Sequence, residues 1–218
     1  MELKALEDLI KTRKSIRRWR DKPVPEEMLL NAVELATWAP NGGNLQNWFF
    51  YIITDKTTIN TIADAVQSSV DLMASWPEAA EFGDTFKNYS QFSTFFRSAP
   101  AAIAVASSRY QSIADRLLEI RGAVDPTARE MREWRKTADS RIQSTSAAVA
   151  YLLLILHQMG LGATWMTGPI QAAGAIEKIL RIQPGWEVVT FIPVGYPDEQ
   201  PRPGRRKPVA EVTQIIKP

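Results

Sequence analysis

Two groups of residues in this chain have the types and spacing for ligand chemistry. The first is Pro40-Asn41-Gly42-Gly43-Asn44-Leu45-Gln46-Asn47-Trp48, a run of carboxamides set beside a glycine pair. A folded core has little use for so many amides, whereas a loop of this kind wraps a polar ligand with backbone N–H groups and side-chain carboxamides. The second group is Arg13-Lys14-Ser15-Ile16-Arg17, which offers guanidinium forks, an ammonium and a hydroxyl over five residues. Arg205-Arg206-Lys207 supplies a further basic source from the far end. Such groups hold phosphate. They also suit a nucleic-acid backbone, but the formal charge is only +2 and aromatic–basic interleaving stops at Trp19. A single phosphate is the simpler reading, and no nucleic-acid partner is expected.

Side chains that attack a substrate directly are scarce. There is no cysteine, which excludes thiolate catalysis, disulfides and Cys-ligated metals. The single histidine, His157, lies among Ile155, Leu156 and Met159 and reads as a buried or interface residue, and a histidine cluster for metal is impossible. No Gly-x-Ser-x-Gly elbow occurs, and the acidic pairs Glu26/Glu27 and Glu130/Glu133 read as solvated helix faces. Neither a Rossmann fingerprint nor a P-loop is present, and Gly160-Leu161-Gly162 reads as the end of a helix. A cofactor is therefore expected to carry the reactive atoms, with a mononucleotide held outside any glycine-rich fingerprint.

The elements that must position these groups follow from periodicity. A helix is expected over 3–12, with Leu6, Leu9 and Ile10 on one side. A second starts after Pro25 and ends before Pro40, since the residue preceding a proline is driven out of the α region. Strands are expected at 48–53, 100–106 and 188–194, the middle one being alanine-rich and so also compatible with helix. Helices are expected over 58–68 and, after a charged helical pattern from Thr127, over the apolar run 140–159. The stretches 69–98 and 109–127 read as less regular and as possible lid segments, the aromatics of the first suiting a lid or a helical hairpin. With 218 residues, 45% of them hydrophobic, the chain is long enough for one domain with a substantial core. Its longest strongly apolar run, 147–156, is too short to span a membrane, and the charged start lacks the pattern of a signal peptide, so a soluble, cytoplasmic protein is expected. That apolar run also has more hydrophobic surface than one sheet face covers, which favours a homodimer. The C-terminal stretch 203–218, apolar again over 209–216, would add an arm.

In this setting the chain resembles the nitroreductase family of FMN-dependent oxidoreductases. Arg13-Lys14-Ser15-Ile16-Arg17 is similar to that family's N-terminal arginine–serine motif, and 39–48 to its proline–serine–asparagine–glutamine–proline–tryptophan loop. Gly160 to Gly168, Ile192 to Pro197, and Arg206-Lys207-Pro208 resemble three later family segments in the same order. The resemblance implies an α+β fold with a central, mostly antiparallel sheet among helices, in an intertwined homodimer with two sites at the interface. It implies FMN as cofactor, NADH or NADPH as electron donor, and a nitroaromatic, quinone or similar small acceptor, reduced by a ping-pong mechanism. By carry-over, Arg13, Lys14, Ser15, Arg17 and Arg206 would hold the phosphate, ribityl chain and ring edge. Pro40, Asn41, Gly42, Asn44 and Gln46 would come from the other subunit. Met166 would shape the pocket, with the backbone of Thr167 and Gly168 near flavin N5. The sequence departs from the pattern at Asn41 and Gly42, where serines are common, and at Asn47, where proline is usual. Other reactions of the same fold stay open: reductive dehalogenation, activated-alkene reduction, azoline oxidation and flavin fragmentation. The paired arrangement of acid, tyrosine and lysine that a deiodinase-like lid contributes is not located in 69–98. A non-catalytic dimeric flavin-binding or interaction protein is the remaining alternative.

Overall fold

The computed structural model describes residues 2–202 and 204–217. Its centre is a sheet of four strands, β1 (Trp48–Ile53), β2 (Ala101–Ser108), β3 (Gly162–Ala163) and β4 (Trp186–Gly195), in the order β1-β2-β4-β3. All three pairings are antiparallel. The alanine-rich run is thus a strand, and its place explains its composition. β2 is paired on both edges and covered on both faces, so small side chains alternating with Ile103 and Val105 let helices approach closely from either side.

Two apolar layers result. On one face Ala101, Ile103 and Val105 meet α2 (Glu26–Ala36) and α7 (Ser140–Gln158). On the other, Ala102 and Ala104 meet α3 (Lys56–Ala74) and α8 (Ala173–Ile179) through Ile59, Ile62, Val66 and Ile176. The packing fixes α7 firmly: Val149, Leu152, Leu153 and Leu156 are buried, each worth about 1.5–3 kcal/mol. Gly160, at φ 78°, ends this helix. The N–H of Leu161 donates to the Leu156 carbonyl at 2.9 Å and that of Gly160 to His157 at 3.0 Å, the paired bonds of a Schellman cap.

The remaining helices are α1 (Leu3–Thr12), α4 (Gly83–Phe92), α5 (Ile113–Arg121) and α6 (Pro126–Lys136). Segments 69–98 and 109–127 are therefore more regular than their composition indicates. α3 runs on to Ala74, and α5 starts at a capping box in which Ser112 and Asp115 satisfy each other's backbone N–H groups. α5 and α6 form a hairpin with little core of its own, since α5 buries nothing and α6 only Ala128. It is tied by Arg135 on Asp115 (2.5 Å) and Arg132 on Glu119 (3.1 Å). The Arg135 guanidinium and the Ser112 hydroxyl hold the Asp115 carboxyl well below the usual carboxylate range. Among the described residues, no helix is long and apolar enough to cross a membrane, and no cluster of three metal-ligating side chains occurs.

Candidate functional site

The basic segment leaves α1 as an extended strand against the C-terminal end of α7. Ser15 bridges Ala163 in parallel, and the N–H of Ile16 donates to the Ala163 carbonyl at 3.2 Å. The Thr164 hydroxyl donates to the Ile16 carbonyl at 2.5 Å, and Trp19 Nε1 to the Gly162 carbonyl at 2.8 Å. Gly162 is required for this contact: a Cβ there would stand 2.5 Å from Ile16 Cγ1. Its role is close approach, where the sequence had suggested only a helix end. Glu199 accepts the backbone N–H groups of Arg17 and, at 3.1 Å, Arg18, which fixes the strand from the other side. Thr12 Oγ1 lies 3.0 Å from His157 Nε2, joining the start of the strand to the last turn of α7. Burial, then the charges of Arg13 and Lys14, hold the His157 imidazole below its ordinary value.

Side chains of an extended segment alternate. Ile16 is buried against Gly162, and Lys14 points the same way, its Nζ donating to the Lys11 carbonyl at 2.8 Å. Alternation assigns Arg13, Ser15 and Arg17 to the opposite face. They form a line of cation, hydroxyl and cation, with about 7 Å between successive members. This face fits a phosphate and a polyol chain, and Lys14 adds charge from behind it.

The amide-rich loop sits at the other end of α7. The N–H of Gly42 donates to Ser144 Oγ at 3.2 Å. Asn41 shapes the turn, donating to the Ala39 carbonyl at 3.2 Å and accepting the N–H of Gln46 at 3.0 Å. Gly43, Asn44 and Gln46 all have positive φ, at 62°, 52° and 48°. Two non-glycine residues in that region mark stored strain, which the Asn41 bonds maintain. Pro40, Gly42, Asn44 and Gln46 are exposed, and nothing lies within 4 Å of a Cβ placed on Gly42. From Ser144 to His157 the helix rises about 20 Å. The structure therefore brings Arg13, Ser15 and Arg17 together and Pro40 to Gln46 together, but holds the two groups at opposite ends of α7.

Met166 continues the line of β3 along β4. Its N–H donates to the Phe191 carbonyl at 3.0 Å, and it stands three extended residues, about 10 Å, beyond Ala163. Thr167 and Gly168 follow, both exposed, as the chain turns into a short 3-10 segment, Gly168–Ala172. Tyr89 on α4 donates to Gln171 Oε1 at 2.6 Å, placing that helix beside the segment. Arg206 Nη1 donates to the Arg205 carbonyl at 2.9 Å within the exposed tail, and among the described residues it has no hydrogen bond to the basic strand. The supporting residues Ser144, Glu199, Thr164 and Thr12 carry no sequence signal, because each acts on a backbone group or ring far away in the chain.

Comparison with known proteins identifies the family. The nitroreductase family model matches residues 10–196, which takes in every candidate residue except Arg206. The iodotyrosine deiodinase of Thermotoga neapolitana is 28% identical over 203 residues, 92% of this chain and 92% of that protein. The NADH dehydrogenase of Thermus thermophilus is 26% identical over 215 residues, 92% of this chain and 90% of its own length. Among solved structures, a BluB-like flavoprotein from Clostridium difficile 630 superposes with a TM-score of 0.86 at 25% identity, covering 100% of both chains. The chain belongs to the nitroreductase family and is an oxidoreductase of that family, for which membership implies FMN and NAD(P)H.

Proposed function

We propose that the protein is a homodimeric, FMN-dependent oxidoreductase that passes hydride from NADH or NADPH to a nitroaromatic, quinone or similar small acceptor, one substrate leaving before the next enters. The observation that carries this reading is the separation of the two ligand groups along α7. A single chain cannot close both on one flavin, but two chains with α7 antiparallel set the loop of one beside the basic strand of the other.

The outer face of α7 suits that pairing. Gln143, Ala147, Ala150, Tyr151, Leu154 and Gln158 form the stripe left exposed or half-exposed by the core. Their positions are symmetric about the point between Ala150 and Tyr151, polar at both ends and apolar within. A helix face with this order is complementary to itself under a twofold axis. The exposed Ile113, Leu117 and Ile120 of α5, and Val209, Val212 and Ile216 of the tail, add apolar surface that a partner would cover.

In the shared site Arg13 and Arg206 would neutralise the phosphate, Ser15 the ribityl chain and Arg17 the ring edge, with Lys14 contributing charge from behind. Pro40, Asn41, Gly42, Asn44 and Gln46 of the second chain would line the ring, and Met166, Thr167 and Gly168 its reactive edge. Bound FMN supplies the hydride-accepting and hydride-donating centre at N5. The protein's part is to orient both substrates over one face, exclude water and offer backbone N–H groups near that edge. α4, tied through Tyr89, and the α5–α6 hairpin would wall the acceptor as lids.

Purified protein should be yellow, bleach with NADH or NADPH, and recover colour with a quinone or nitroaromatic, giving parallel double-reciprocal lines. Colourless protein that takes up no added FMN would reject the proposal. The likeness to the iodotyrosine deiodinase supports a second reading, in which the fold runs reductive dehalogenation, and flavin fragmentation stays open as another reaction of the same fold. Turnover of halogenated phenols alone would favour the former, and loss of FMN during aerobic turnover the latter.

A further inference from the structure

Behind the basic strand lies a space from which the reading above takes only the charge of Lys14. It is a cavity of about 470 Å³, bounded by the last turns of α1 and α7 and by residues 197–201. Ile16, Leu161, Pro197 and Pro201 make apolar walls. At one end are the Lys14 ammonium, the Thr12 hydroxyl and His157. Lys14 spends one N–H on the Lys11 carbonyl and keeps two for a ligand. The acid at the rim, Glu199, is committed to the backbone N–H groups of Arg17 and Arg18, and Lys11 is paired with Glu7. Arg13, Ser15 and Arg17 do not line this space.

The size falls within the range of small-molecule sites, and the lining has their usual form, apolar walls with a few convergent polar groups. The two uncommitted N–H bonds of the Lys14 ammonium match a carboxylate, beside a Thr12 hydroxyl whose proton goes to the Asp8 carbonyl at 2.6 Å and a His157 ring 3.0 Å from that oxygen; no guanidinium lines the space to grip a phosphate in two places. We infer that this cavity is a second ligand site, separate from the cofactor face, for a small organic monoanion with an apolar body, such as an aromatic carboxylate. The inference rests on the direction of side chains along 12–17 and stands apart from the reaction assigned above.

Because the chain has one histidine, its ring gives a single reporter inside the cavity. The FMN-loaded protein would be titrated with benzoate while the His157 Cε1–H resonance is followed by NMR, the flavin spectrum is recorded, and stoichiometry is measured by equilibrium dialysis. The expected result is a saturable shift of that resonance, one benzoate per chain, an unchanged flavin spectrum, and no binding of benzylamine. Gln200→Trp, on the exposed rim, should weaken benzoate at least tenfold while keeping FMN. Pro201→Glu, which sets a carboxylate in the wall, should do the same if the tryptophan variant fails to fold. A shift that never saturates, release of flavin by benzoate, equal binding of benzylamine, or full affinity in folded variants would each overturn the site.

Discussion

The two ends of α7 hold candidate ligand groups in opposite ways. At the C-terminal end the ligands are charged, and a backbone strand fixed by Ala163, Thr164 and Glu199 holds them in line. At the N-terminal end they are neutral amides and a bare glycine, and one asparagine side chain holds a strained turn. The first end has charge for a phosphate but nothing to cover a ring. The second has room and amides for a ring but no cation in the loop. In the proposed dimer each would be half of a site, and the helix between them sets how far apart the halves stay.

The strongest way to break this complementarity is at its centre. Tyr151→Glu would place two carboxylates against each other near the proposed axis, and the resulting protein should sediment as a monomer and lose FMN affinity at least a hundredfold. A monomer that keeps full flavin occupancy would separate the two ends from any need of a partner. Next in size, Arg13→Ala removes one charge-assisted bond to phosphate, about 1.5–3 kcal/mol, so FMN should bind roughly 10–150-fold more weakly by fluorescence titration of apoprotein. The same change should leave the thermal midpoint of apoprotein nearly unmoved.

Gly162→Ala tests the strand's support, since the new methyl would meet Ile16 at 2.5 Å. Overpacking of this kind costs about 1–3 kcal/mol and should lower both stability and FMN affinity, with Ile16→Ala in the same chain recovering part of the loss. The smallest effect concerns His157. Its imidazole is held below the ordinary value, so the unfolded chain takes up the proton first as pH falls. Stability is then lost from about pH 6.5 downward through the folded-state value. Apoprotein should lose more melting temperature between pH 7.5 and 5.5 than His157→Gln does, and equal losses would remove His157 from the account.

Much of this was legible in the sequence. The bounds of α1, α2, β1 and α7 follow from periodicity and from Pro25, Pro40 and Gly160, because those signals act within a few residues of the element they define. The candidate ligands were legible too, since arginines with a serine and amides with glycines have few other uses at such density. What could not be read was where they point. Lys14 falls on the rear of the strand only because Ser15 pairs with Ala163, a contact made across 148 positions of chain if judged by the neighbouring Ile16–Thr164 bond. Gly162 resembled a helix end for the same reason, its real constraint being the distant Ile16 side chain. The α5 start was written locally in Ser112 and Asp115, but amid charged residues with no buried face to confirm it.

The central claim is that each flavin is held by the basic strand of one chain and the amide loop of the other, and mixing two crippled chains tests it directly. Arg13→Ala breaks the first half. Gly42→Trp breaks the second by filling space that is open in the single chain, where nothing lies within 4 Å of a Cβ. Each variant alone should bind little FMN. Co-expressed in equal amounts they should form mixed dimers with one intact site each, restoring about a quarter of wild-type flavin occupancy and NAD(P)H oxidation. Recovery of that size is the predicted result, and mixed dimers that stay as empty as the parents would contradict the shared site.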